Sequence, residues 1–131
     1  MRTLGIDFGH KRIGLALSDA TGEFALPYGV VENGPEAIIH IGRVCVEHGV
    51  GDIVVGDSKD FNGEDNAIMQ EIRIFIESLK AASQLQVHTH PEFMTSAQAE
   101  RLQGKNNMLD ASAAAIILSS YLDMKKNSKI D

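Results

Sequence analysis

Four carboxylates stand where short apolar runs of this 131-residue chain give out: Asp7, Asp57, Glu92 and Asp110. Asp7 closes the run Thr3–Ile6, Asp57 follows Asp52–Gly56, Glu92 follows the run 84–89, and Asp110 opens an alanine-rich stretch. Aspartate is a poor strand former, so an acid at a strand end must bring some gain that offsets its cost. Carboxylates gathered without compensating bases repel one another and raise each other's pKa. A pair of hard divalent cations removes that difficulty, because Mg²⁺ and Mn²⁺ take oxygen ligands. Two such ions about 4 Å apart clamp the attacking and leaving oxygens of a phosphoryl displacement. Phosphodiester hydrolysis is the chemistry to expect if the four acids converge. Each also has a plainer use. Asp7 can be a turn aspartate that accepts a backbone hydrogen bond two residues on. Asp57 can be a loop acid beside Lys59 and Asp60, Glu92 a rim charge after Pro91, and Asp110 a helix N-cap.

Convergence depends on the elements that carry these residues. Thr3–Ile6 and Ile13–Leu17 flank a polar turn holding Gly9, His10, Lys11 and Arg12, which reads as a β-hairpin. Asp19–Gly22 is a turn, and Phe24, Leu26, Tyr28 and Val30 alternate along a third strand over Glu23–Val31. Pro27 suits an edge position, where a missing N–H costs little. Pro35 is suited to the first turn of a helix whose one face carries Ala37, Ile38, Ile41, Val44, Cys45 and His48, stopped by Gly49. Asp52–Gly56 is an unalternated β-branched run, typical of a strand buried on both faces. A polar loop over 57–65 precedes a helix with Ile68, Ile72, Phe75, Ile76 and Leu79 along one stripe. Gln84–Thr89 is a fifth strand. Thr95 and Gln98 make a capping box for a helix to about Leu102. Gln103–Leu109 is a loop, Asp110–Met124 a last helix, and residues 125–131 a frayed tail.

This order predicts an α/β domain over residues 1–124: a five-stranded mixed sheet, three antiparallel strands followed by α/β crossovers, with helices on both faces. The simplest arrangement keeps the first strand central with the fourth parallel beside it. The carboxyl ends of strands one, four and five then share one edge, where open α/β sheets place their sites.

Composition bounds the rest. A hydrophobic fraction of 44% and a charged fraction of 23% are those of a soluble globular protein. No apolar run approaches the roughly 20 residues of a membrane span, so no membrane is expected. The start is not that of a secretory signal. A single cysteine, Cys45, forbids an internal disulfide and suits the cytoplasm; it reads as core packing. Twelve Lys+Arg against eighteen Asp+Glu give a formal charge of −6. That argues against a protein that coats nucleic acid non-specifically. A nuclease with an acidic centre and a local basic rim remains compatible.

The stretch LGIDFGHKRIGLALSD resembles the opening signature of the YqgF family, Holliday junction resolvase-like nucleases also assigned to processing of ribosomal RNA precursors. DIVVG, PEFMTSAQAERL and DASAAAIILSSYLD resemble that family's fourth strand, its Asp-Glu-Arg-Leu-Thr-Ser segment and its closing helix, in the same order from Leu4 to Asp123. The resemblance implies a ribonuclease H-like fold and a nuclease using Mg²⁺ or Mn²⁺. Its partner would be structured RNA or branched DNA, and its catalytic acids match Asp7, Glu92 and Asp110. A junction-resolving member would be a homodimer, cutting two strands symmetrically; an RNA-trimming one need not pair.

The sequence departs from the family at three places. Pro91-Glu92-Phe93 keeps the glutamate but not the flanking acid or the arginine, a natural phosphate contact. The segment 103–109 is short and carries only Lys105. After the fourth strand stands Asp57-Ser58 in place of Leu-Pro, which makes Asp57 a candidate fourth metal ligand. Lys11 and Arg12 are then the main candidates for phosphate contact. His10 is an exposed turn residue. His88 and His90 would share one face of a strand; with no further ligand to complete a zinc set, a solvated face is expected. Two other readings stay open. One is a divergent, non-catalytic binding module of the same fold. The other is an actin-like kinase domain, which would need two such units to close over ATP.

Overall fold

The computed structural model describes residues 1–57, 67–91 and 109–128, with the backbone alone at 57, 67, 109, 110 and 128. Alternation in the first eighteen residues produces the expected hairpin of β1 (Arg2–Phe8) and β2 (Arg12–Ser18), antiparallel from Leu4↔Leu17 to Phe8↔Ile13. Then come β3 (Ala25–Glu32), α1 (Ala37–His48), β4 (Val50–Asp57), α2 (Ala67–Ser83), β5 (Gln86–Pro91) and α3 (Leu109–Ser128). The sheet order is β3-β2-β1-β4-β5, with β4 parallel to both β1 and β5. The first strand is central, as the element order predicts.

Side-chain parity on the central strands divides the molecule into two layers. Leu4, Ile6, Ile13, Leu15, Ile53 and Val55 pack against Ile41 and Cys45 of α1 and Ile72, Phe75 and Leu79 of α2. On the other face Ala16 and Val54 meet Ala114, Leu118, Tyr121 and Leu122 of α3. The run Ile53–Val55 is fully buried, one side chain to each face in turn, which is why it shows no alternation.

Several local expectations shift for identifiable reasons. The first helix begins at Ala37 after a turn in which the Ala37 amide donates to the Gly34 carbonyl at 3.1 Å, so Pro35 precedes the helix instead of entering it. Gly49 ends α1 in the left-handed conformation, φ 63°, and its N–H donates to the Cys45 carbonyl. Gln84, also at positive φ, closes α2 by donating its amide to the Lys80 carbonyl, and β5 therefore starts two residues later than expected. The third strand is an edge strand with Pro27 in it, and a register break between Leu15 and Ala16 leaves Tyr28 as an extra residue. The large apolar residues expected in it do not mark a buried face: Phe24, just before β3, is 64%, Leu26 57% and Tyr28 42% exposed. The helices of that layer cover the inner strands, and α1 meets Tyr28 through His48, 3.2 Å from the phenol oxygen.

The last helix continues past Met124 to Ser128, and Lys125 lies 3.8 Å from Asp52. Asp52 also accepts from the Thr3 hydroxyl at 2.7 Å and lies 3.6 Å from His88. His88 and His90 do share a face, but α3 lies against it, burying His90 and leaving the His88 side chain 38% exposed. His90 is buried against Ser120, 2.8 Å away, and the His88 ring stacks on Tyr121. Burial and the neighbouring Asp52 carboxylate together push the Tyr121 phenol above its ordinary range. The expected helix over 95–102, the loops 58–65 and 103–108 and the last three residues lie outside the described residues.

Cys45 is core packing, and burial pushes its thiol up to about 11 from 9.0. The unfolded thiol ionises first as pH rises, so stability present below pH 9.0 is lost on the way to about 11. Two pKa units correspond to about 2–3 kcal/mol. Urea midpoints of Cys45→Ala should start lower at pH 7 and fall less steeply than the wild type above pH 9. Parallel curves for the two proteins would reject this assignment.

Candidate active site

The register of the parallel strands places the carboxylate-bearing positions. Ile6 of β1 lies beside Val55 of β4, and Asp57 of β4 lies beside Pro91 of β5. Asp7 and Asp57 therefore stand at the carboxyl ends of neighbouring parallel strands. Glu92, the residue after Pro91, lies outside the described residues.

Asp110 comes to this edge through the packing of α3. Thr3, Gly5 and Asp7 share the α3 face of β1, because side chains alternate along a strand. A Cβ on Gly5 would lie 2.7 Å from the Leu118 Cβ and 3.0 Å from the Ala114 carbonyl oxygen, so helix and strand are in backbone-close contact there. Toward the start of β1, Thr3 shares a concavity with Leu122 and Lys125. The helix thus runs antiparallel to β1. Moving from Gly5 to Asp7 advances about 6.7 Å along the strand. Moving from Ala114 to Asp110 goes back about 6 Å along the helix. Both steps lead to the same end of the sheet, and the first turn of α3 lies over the carboxyl end of β1.

Asp7 is half-buried. Across the hairpin it faces Gly14, and on the other side the residue after Val55 is Gly56. The positions flanking Asp7 on both neighbouring strands are thus glycines, which bring no side chain of their own. A carboxylate is an oxygen donor of the kind that suits Mg²⁺ or Mn²⁺, which hold several waters as well as protein ligands. Among the described residues no set of three or more His, Cys, Asp or Glu side chains is gathered as a metal site. Asp57 and Asp110, described by their backbone, and Glu92 are the remaining members of the expected set.

Next to Asp7, Lys11 and Arg12 are exposed on the β1–β2 turn. His10 is also exposed but is not idle: its Nδ1 lies 3.0 Å from the Glu71 carboxylate on α2. Asn33 holds the same turn from the other side, donating its side-chain amide to the Gly9 carbonyl at 2.7 Å. Sequence reading gives neither Asn33 nor Glu71 a role here, because their contacts to this turn span long stretches of chain that no local pattern reports.

A central β1 with an acid at its carboxyl end, antiparallel β2 and β3 on one side, and parallel β4 and β5 on the other define a ribonuclease H-like domain. The chain belongs to the RuvX family, described as Holliday junction resolvases, which matches residues 1–124. This is the family that the opening signature resembles. A relative from Maridesulfovibrio salexigens, provisionally named a pre-16S rRNA nuclease, is 37% identical over 93% of this chain and 98% of its own. A relative of the same name from Pelotomaculum thermopropionicum is 37% identical over 94% of this chain and 87% of its own. Among solved structures, Thermus thermophilus RuvC superposes with a TM-score of 0.61 at 15% identity, covering 97% of both chains. The fowlpox virus resolvase bound to Holliday junction DNA superposes with a TM-score of 0.62 at 12% identity, covering 95% of this chain and 99% of its own. These structural likenesses are of fold.

Proposed function

We propose that residues 1–124 form a divalent-metal-dependent endonuclease domain that cuts structured nucleic acid, with the 5′ region of the 16S ribosomal RNA precursor as its substrate. The observation that carries this reading is Asp7 between two glycines at the shared edge of β1 and β4, in a chain of the RuvX family. The RNA substrate is favoured because relatives of matching length and 37% identity bear the precursor-nuclease name. Among the described residues no helix is long and apolar enough to cross a membrane, and the cytoplasm is the proposed place of action.

Asp7, Glu92 and Asp110 would hold Mg²⁺ or Mn²⁺, with Asp57 as a further ligand. When bound, such ions activate water and offset the charge that develops on a phosphoryl group under attack. Lys11 and Arg12 bind the phosphates flanking the scissile bond, Arg12 through a planar fork suited to two oxygens at once. With six more acidic than basic side chains in the whole chain, non-specific affinity is low. Asp57→Asn separates the set: a fall in Mg²⁺ affinity supports Asp57 as a ligand, and an unchanged affinity removes it.

A cleavage assay with Mg²⁺ or Mn²⁺ tests the function, using precursor RNA beside four-way junction DNA and wild type beside Asp7→Asn. Metal-dependent RNA cleavage lost in the variant is the expected result. Preferential junction cleavage by a dimer would move the reading to junction resolution, the activity in the family's description. Failure on both substrates at every metal concentration would leave a non-catalytic binding module.

A further inference from the structure

The turn that carries Lys11 and Arg12 is held from outside its own hairpin. Asn33, the first residue after β3, grips both limbs: its backbone amide donates to the Lys11 carbonyl at 2.9 Å and its side-chain amide to the Gly9 carbonyl at 2.7 Å. The turn is closed tightly at that point. A Cβ on Gly9 would sit 2.6 Å from the Arg12 carbonyl oxygen, so no other residue fits without moving the backbone. From the opposite side α2 braces the turn. The Glu71 carboxylate lies 3.0 Å from His10 Nδ1, and one helical turn on, the Phe75 ring packs on Phe8 at 4.9 Å between centroids. Residues four apart share a helix face, so a single face of α2 supports the strand end and the turn tip together.

The β1–β2 ladder closes this hairpin by itself at Phe8↔Ile13. The contacts from Asn33 and Glu71 add something the hairpin does not need for its existence, namely a fixed conformation for three exposed residues, His10, Lys11 and Arg12. Long basic side chains lose much freedom when they dock on phosphate, and a rigid backbone beneath them lowers that cost. The turn also lies two to five residues beyond Asp7, so its orientation sets where a bound phosphate falls relative to the acidic edge.

We propose that Asn33 and Glu71 are positioning residues, which hold the 9–12 turn so that Lys11 and Arg12 meet the phosphates of a nucleic-acid strand beside Asp7. This rests on the nuclease reading above. It assigns binding specificity to two residues that touch neither metal nor substrate.

The test compares the full wild-type chain with Asn33→Ala, Glu71→Ala and Glu71→Gln. Amide exchange and ¹⁵N relaxation at residues 10–12 report the turn in the free protein. Fluorescence anisotropy without metal reports binding of a labelled RNA stem-loop with a 5′ extension and of a labelled four-way DNA junction. Steady-state cleavage separates KM from kcat. Both alanine variants should show a mobile turn and a Kd and KM raised about tenfold, with kcat within about twofold of wild type, because substrate placement and not the acids is altered. Glu71→Gln keeps an acceptor oxygen for His10 and should recover most of the loss. Glu71 is exposed, so its variants test the idea even if Asn33→Ala is unstable. A mobile turn with unchanged binding overturns the proposal, as does a turn that stays rigid in both alanine variants. A wild type that binds neither probe overturns the nuclease reading, and the proposal with it.

Discussion

Asp7→Asn should abolish metal-dependent cleavage while leaving the fold in place. Asp7 lies at the end of β1, half-buried, with its strand neighbours Leu4 and Ile6 supplying the buried contacts. Asparagine has nearly the same shape and can accept a hydrogen bond through its carbonyl oxygen, so packing is preserved. What is lost is the negative charge that a hard cation requires. Changing a partner that merely orients a metal ligand costs roughly 10–100-fold, and loss of a ligand itself should cost about a thousandfold or more. A second readout separates binding from chemistry. A ligand that binds the folded state raises its apparent stability, so Mg²⁺ or Mn²⁺ should raise the melting temperature of wild type and not of the variant. An Asp7→Asn protein that still cleaves and is still stabilised by metal would leave Asp7 as a turn residue.

The second large effect is expected at a residue that carries no chemistry. Gly5→Ala places a carbon 2.7 Å from the Leu118 Cβ and 3.0 Å from a backbone oxygen of α3. Neither neighbour is the end of a flexible side chain, so the helix must move as a body. Overpacking of this kind costs about 1–3 kcal/mol, and Gly5→Val should exceed that range. For a domain of this size about 3 kcal/mol corresponds to a melting temperature lower by roughly 10 °C. Truncating Leu118 to alanine should not rescue Gly5→Ala, because the conflicting atom is the Cβ that alanine retains. Displacement of α3 also moves its first turn away from β1. The Mg²⁺ concentration needed for half-maximal stabilisation should therefore rise in Gly5→Ala, although Asp7 is untouched. A Gly5→Ala protein as stable as wild type would mean that the helix does not rest on β1 as closely as the geometry requires.

Most of the framework of this protein is legible in the sequence, for local reasons. The hairpin, the doubly buried β4 and the apolar stripes of α1 and α2 each write a period into a few consecutive residues, and that period follows from backbone geometry alone. The acids could be picked out in the same way, because each interrupts or ends such a pattern. A periodic pattern says that an element has two faces; it does not say what will cover them. Phe24, Leu26 and Tyr28 alternate as a core strand would, yet they lie at the sheet edge and stay 64%, 57% and 42% exposed. His88 and His90 look like a solvated face and instead lie against α3. Lys125, which reads as the start of a frayed tail, stays in the helix and lies 3.8 Å from Asp52, a residue on β4. Contacts such as Thr3 to Asp52 and Asn33 to Gly9, 49 and 24 residues apart, depend on how the crossovers bring strands together. Residue types and spacing thus singled out the acids that end the strands and set the expectation that they gather at one edge. The packing of α3 against Gly5, and the hold of Asn33 and Glu71 on the turn, were decided by the tertiary structure, because close approach is a property of two surfaces and each is written in a different part of the chain.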